Sequence, residues 1–105
     1  MRILPSARYI EQLQELKPDI RLLLDTKIRY AAENPSRCKR LRHERPLFVI
    51  KFSDRRDAKR LILEVEHDIV RPLCILDRKY DYNNLDVELR RIERQRQLNP
   101  KYNGQ

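Results

Sequence analysis

The stretch Pro46-Leu47-Phe48-Val49-Ile50-Lys51-Phe52-Ser53 decides the fold, because the apolar period changes to two here. Phe48, Ile50 and Phe52 fall on one face, and Leu47, Val49 and Lys51 on the other, as in a β-strand. A polar, charged turn at Asp54–Lys59 follows, then a second alternating run, Arg60–Glu66. There Leu61, Leu63 and Val65 point one way, and Arg60, Ile62, Glu64 and Glu66 the other. His67-Asp68 makes a tight reversal into a third strand, Ile69–Arg78. Three consecutive strands with short connections predict an antiparallel meander.

Upstream the period is helical. Met1 to Leu4 reads as a short extended segment, and Ser6 suits the N-cap of a helix over Ala7–Leu16 with Tyr9, Ile10, Leu13 and Leu16 on one stripe. Pro18 restarts the chain as a second helix over Asp19–Glu33, with Ile20, Leu23, Leu24, Ile28 and Ala31 aligned. Asn34-Pro35 ends it, because the residue before proline is pushed out of the helical region. The expected fold is α+β, a helical hairpin packed on one face of a curved antiparallel sheet. Downstream, Asn83-Asn84 precede a further C-terminal helix over Leu85–Gln97. Its stripe (Leu85, Leu89, Ile92) is narrow, so weak packing is expected. A docking surface, an appendage and an ordinary amphipathic end helix stay open. The domain reading is 1–85 for the main domain and 86–105 for the helix and tail.

Charge is concentrated around the first two strands. Ten lysines and arginines face three acids between Arg37 and Arg60, a net +7 in a chain whose total is +8. An apolar strand runs through that stretch, so the charge belongs to a folded surface, and such a field attracts polyanions.

Several functions are excluded. The one glycine, Gly104, lies near the C-terminus, so no glycine-rich nucleotide loop exists. Cys38 and Cys74 form no disulfide framework, and neither has a neighbouring Cys or His at metal-ligand spacing. No cofactor is therefore expected. No apolar run reaches the ~20 residues that span a bilayer, and Met1-Arg2-Ile3-Leu4-Pro5 is too quickly polar for a secretion signal. The expected compartment is the cytoplasm, with no membrane partner.

What remains is a set of cations and tyrosines at the sheet: Lys51, Arg60, Arg78, Tyr80 and Tyr82. In a meander, the end of the first strand, the start of the second and the end of the third meet at one edge. Lys51, Arg60 and Arg78 therefore converge, and an anion relieves their mutual repulsion. Cleavage of RNA by its own 2′-hydroxyl needs a base, cations to stabilise the charge on phosphorus, and an acid for the leaving oxygen. Crowded cations favour loss of a lysine proton, which suits Lys51 to the base. Arginines keep theirs and serve as clamps. A tyrosine stacks on a base or handles a proton.

The order of elements resembles the RelE/ParE-type toxins of bacterial and archaeal toxin–antitoxin systems, over residues 1 to about 85. The local likenesses are Ser6-Ala7, Glu33-Asn34-Pro35, Lys39-Arg40-Leu41, Phe48-Val49-Ile50-Lys51-Phe52, Arg60-Leu61-Ile62-Leu63, and Arg78 through Tyr82. The resemblance departs at the turn between the first two strands, where the usual glycine is missing, and at Ala58, where an aromatic often stands. It implies a ribosome-dependent endoribonuclease (an mRNA interferase) that inhibits translation by cleaving mRNA in the ribosomal A site without metal. Its partners would be mRNA, the ribosome and a cognate antitoxin. Lys51 would be base or charge stabiliser, Arg60 and Arg78 phosphate clamps, and Tyr82, or Tyr80, the stacking residue. Around them, Lys39, Arg40, Arg42, Arg45, Arg55, Arg56, Lys59 and Tyr80 are the expected RNA-binding residues. Two alternatives stand beside it: a ParE-like poison of DNA gyrase, and a non-catalytic basic nucleic-acid-binding module.

Overall fold

The computed structural model describes residues 2–80 and 82–98. Along the chain come β1 (Arg2–Ile3), α1 (Ala7–Gln14), α2 (Pro18–Glu33), β2 (Lys39–Arg40), β3 (Leu47–Asp54), β4 (Asp57–Glu66), β5 (Ile69–Asp77) and α3 (Leu85–Leu98). Single 3-10 turns occupy Pro35–Arg37 and Arg78–Tyr80. Both predicted helices form for the predicted reasons. The Ser6 hydroxyl accepts from Tyr9 N at 3.0 Å and donates to Leu73 O at 2.5 Å, so it caps α1 and ties it to β5. Pro18 occupies the first turn of α2, and the helix stops before Asn34-Pro35.

The strands form one five-stranded sheet in the order β1-β5-β4-β3-β2. The meander β3–β4–β5 is antiparallel, as expected, and the extended N-terminal segment adds to it as β1, which pairs with β5 in parallel, Arg2 opposite Ile69 and Ile3 opposite Val70. The basic loop also contains an unforeseen edge strand, β2, which pairs Lys39 with Val49 and Arg40 with Phe48. The β3–β4 turn is shorter than expected. Asp54 faces Asp57 and only Arg55-Arg56 lies between, so Ala58 and Lys59 belong to β4. Two-residue hairpins require a positive φ that glycine supplies most cheaply. Here Arg55 (φ 60°) and, in the β4–β5 turn, His67 (φ 53°) adopt it themselves, at a cost of about 1 kcal/mol each.

The sheet is covered on both faces. Against α1 and α2, Phe52, Leu61, Leu63, Val70 and Ile75 pack with Tyr9, Leu16, Leu24, Ile28, Ala31 and Ala32. On the opposite face Leu47, Val49, Ile62, Leu73, Cys74 and Leu76 meet Leu85, Leu89 and Ile92 of α3. A bulge in the β4–β5 ladder at Ile62/Leu63 lets the adjacent Leu73 and Cys74 both reach this second cluster. The narrow stripe of α3 is thus core, which corrects the expectation of weak packing. Each buried leucine or isoleucine contributes about 1.5–3 kcal/mol. Polar ties add to it: Arg8 Nε meets Glu88 Oε2 at 2.6 Å, and Gln95 donates to Glu11 at 2.7 Å. Met1, Asp81 and residues 99–105, including the expected tail, lie outside the described residues.

Candidate functional site

The site follows from strand register. Lys51 on β3 lies directly opposite Arg60 on β4, and Arg60 opposite Leu76 on β5. Leu76 belongs to the α3-side cluster, so this row of side chains shares the α3 face of the sheet. The odd-numbered residues of β3 direct their backbone groups away from β4, since the Leu47 carbonyl accepts from Leu41 on the other side. Lys51 and Arg60 are therefore a non-hydrogen-bonded pair, the arrangement that brings opposed side chains closest, with Cα atoms about 4.5 Å apart. Two like charges so placed repel by roughly 0.2–1 kcal/mol.

Tyr82 completes this group. It packs at the margin of the α3-side cluster, and its ring centre is 4.5 Å from the Arg60 guanidinium. This stacking orients the guanidinium. Arg78 sits at the same end of the sheet, two residues beyond Leu76, in the 3-10 turn that follows β5. It is exposed and lines a cleft of about 500 Å³ with Arg56, Asp57, Ala58, Lys59, Asp77 and Lys79. Lys51, Arg60 and Tyr82 lie outside that cleft, on the neighbouring sheet face. The hairpin tip thus carries Lys51, Arg55, Arg56, Lys59, Arg60, Arg78 and Lys79 against Asp54, Asp57 and Asp77. Among the described residues, Lys51, Arg55, Arg56 and Arg78 make no ion pair.

The remaining expected RNA-binding residues separate into two groups. Lys39 and Arg40 are exposed on β2, with the Arg40 guanidinium 5.9 Å from the Phe48 ring centre, and Arg42 is exposed in the loop that follows. Arg55 and Arg56 form the hairpin tip. Tyr80 is 48% exposed, with the Lys79 ammonium 5.1 Å from its ring centre, so its outer face is available for stacking. Arg45 and Lys59 are committed elsewhere. Arg45 Nε donates to the buried Glu64 at 2.7 Å, at the opposite end of the sheet. Its pKa is raised, chiefly by that hydrogen bond and against the lowering effect of burial. Lys59 Nζ holds Asp77 at 2.5 Å. Lys79, beside Arg78 in the cleft, was not singled out from sequence, although its adjacency to Arg78 is the signal that would have found it.

Among the described residues no helix is long and apolar enough to cross a membrane. No protein-family model matches this chain, and no curated protein matches it. Two solved structures are similar to it. A chain of the intact E. coli RelBE toxin–antitoxin complex superposes with a TM-score of 0.60 at 22% identity, covering 70% of this chain and 92% of that chain. A double arginine-to-alanine mutant of the E. coli toxin RelE, in the free state, superposes with a TM-score of 0.68 at 21% identity, covering 87% of this chain and 96% of that chain. At such identities the likeness establishes the fold: three helices on an open, mixed five-stranded sheet of the RelE type.

Proposed function

We propose that this chain is the toxin of a toxin–antitoxin pair, a ribosome-dependent endoribonuclease that stops translation by cleaving mRNA. One observation carries the proposal: Lys51 and Arg60 face each other across β3 and β4, with Tyr82 on Arg60, at the end of the sheet that also carries Arg55, Arg56 and Arg78. The fold shared with RelE supports it. In the proposed reaction the 2′-oxygen of the nucleotide attacks the adjacent phosphorus in line and the bond to the 5′-oxygen breaks, giving a 2′,3′-cyclic phosphate and a 5′-hydroxyl whose proton comes from a tyrosine of the site or from water. Lys51 takes the 2′-hydroxyl proton or stabilises the pentacovalent phosphorus. Arg60 and Arg78 clamp non-bridging oxygens, for which a planar guanidinium fork is suited. Tyr82 or the exposed Tyr80 stacks on a base of the bound strand. The exposed Lys39, Arg40, Arg42, Arg55 and Arg56 draw in the nucleic-acid backbone, and the ribosome supplies the geometry that presents the codon.

Induced expression in a bacterial host, followed by primer extension on a known transcript, tests the proposal. Cleavage confined to translated regions is expected. Intact transcripts accompanied by broken DNA and an SOS response would assign the chain to gyrase inhibition. Harmless expression would leave a binding module.

A further inference from the structure

The hairpin tip carries one acid that the proposed chemistry does not use. Asp57 opens β4 and is exposed. Among the described residues its side chain makes no ion pair and no hydrogen bond, so neither the turn nor the core holds it. The other acid of the adjoining cleft, Asp77, is taken by Lys59. A carboxylate at the mouth of a site for a polyanion repels phosphate. It is therefore out of place for gripping a backbone but suited to contacting a base, and base contacts are what discriminate sequence. The cleft that Asp57 lines, about 500 Å³, is within the size range of ligand sites and has room for a nucleobase. Arg56 and Lys79 line the same cleft, and among the described residues neither has a carboxylate partner.

Arg78 belongs to both places, as a phosphate clamp in the proposed reaction and as a wall of the cleft. Lys51 and Arg60 lie outside the cleft, on the α3 face, where the 2′-oxygen attacks. The nucleotide across the scissile phosphate, which leaves with the 5′-oxygen, is then the one that reaches the cleft. We infer that Asp57 makes the cleft a base-reading subsite for that nucleotide, taking cytosine in preference to uracil. For its place in the reaction, the subsite rests on the nuclease reading. The two bases have nearly the same shape and differ at two adjacent ring positions. Cytosine presents an amine at position 4, which donates to the Asp57 carboxylate, an acceptor only. It presents a bare nitrogen at position 3, which accepts from Arg56 or Lys79, donors only. Uracil reverses both. Its 4-oxygen meets the carboxylate acceptor to acceptor, and its N–H at position 3 meets a cation donor to donor. Each mismatch leaves polar groups unsatisfied, so the two work in the same direction. Asp57 is thus a specificity residue, and no bond-breaking step passes through it.

Amide chemical shifts of the full chain, titrated with cytidine 5′-monophosphate and with uridine 5′-monophosphate, test the subsite independently of cleavage. The cytidine nucleotide should move the Asp57, Ala58 and Lys79 amides and bind about tenfold more tightly than the uridine nucleotide, the scale of one good base contact. Asp57→Asn, an isosteric change at an exposed position, can donate to the 4-oxygen and should remove that preference by strengthening the uridine nucleotide. Asp57→Ala should remove it by weakening the cytidine nucleotide. Programmed ribosomes give the second readout, with messages that differ only by cytosine or uracil just 3′ of the cut. The unaltered chain should cut the cytosine message about tenfold faster, and Asp57→Asn should level the two. Equal binding of both nucleotides, no binding of either, shifts confined to other surfaces, or a preference that survives Asp57→Asn would overturn the inference and leave the nuclease proposal standing. Cytidine-selective binding in a protein that cuts no message would refute the nuclease proposal and leave the cleft as a nucleotide subsite.

Discussion

The two ends of the central sheet carry the same kinds of residue and treat them in opposite ways. At the end where β3 begins, Arg45 is bound to the buried carboxylate of Glu64, and nearby Arg8 joins Glu88 to hold α3 against α1. At the hairpin tip, Lys51, Arg55, Arg56 and Arg78 have no carboxylate among the described residues, and Lys59 alone takes Asp77. A cation paired with a buried acid serves the fold. A group of cations left without acids raises the free energy of the folded chain, and binding of an anion is what offsets it. The difference predicts that the same substitution, arginine or lysine to alanine, will cost stability at one end and activity at the other.

The largest effect should come at the tip. Lys51→Ala combined with Arg78→Ala should reduce mRNA cleavage by at least about a thousandfold, since removal of one such charge-stabilising group typically costs 10²–10³. Its melting temperature should be unchanged or slightly higher, because repulsion is relieved. Retained cleavage in a folded double variant would break the contrast between the ends. Next, Leu89→Ala on α3 should destabilise the protein by about 3 kcal/mol in denaturant titrations, which distinguishes a core helix from an appendage. Glu64→Gln should cost about 2 kcal/mol, roughly a 10 °C fall in melting temperature, without the kinetic loss of the tip variant.

Those contrasts also show what the sequence made legible. The period-two runs identified β3, β4 and β5, and Ser6, Pro18 and Asn34-Pro35 located both helices, because these signals are local. The extended segment at the N-terminus was legible, but its parallel pairing with β5 was not, since that partner lies far along the chain; β2 escaped because it has only two residues. The β3–β4 turn was read too long because no glycine marked it, and Arg55 supplies the positive φ in its place. Arg45 looked like a phosphate contact because Glu64, its partner, is distant in sequence and comes close only through the β3–β4 pairing. Lys51 opposite Arg60 could be anticipated from meander logic, whereas the Tyr82 ring over Arg60 depends on the path of the chain after β5. The narrow stripe of α3 looked insufficient because its value depends on the apolar face it meets.

Smaller effects sharpen the site. Tyr82→Leu should reduce cleavage about tenfold through lost stacking, and Tyr80→Leu should have the larger effect only if the exposed ring is the one that holds the base. The smallest effect is alkaline. Burial, with some help from Asp25, raises Tyr9 from 10.0 to about 12, and burial raises Cys74 from 9.0 to about 12. Both groups keep a proton in the folded chain that the unfolded chain releases. Their contribution is therefore complete below about pH 9 and is lost as the pH climbs from there toward 12. Cys74→Ala should shift the onset of alkaline unfolding from near 9 toward 10, measured by circular dichroism.

The most direct measurement uses purified protein, programmed ribosomes and an mRNA carrying a single 2′-deoxynucleotide at the cleaved position. If the cations at the hairpin tip act through the RNA's own hydroxyl, the normal message should be cut to leave a 2′,3′-cyclic phosphate, and the deoxy-substituted message should survive. Equal cutting of both messages, or no cutting of either, would contradict it.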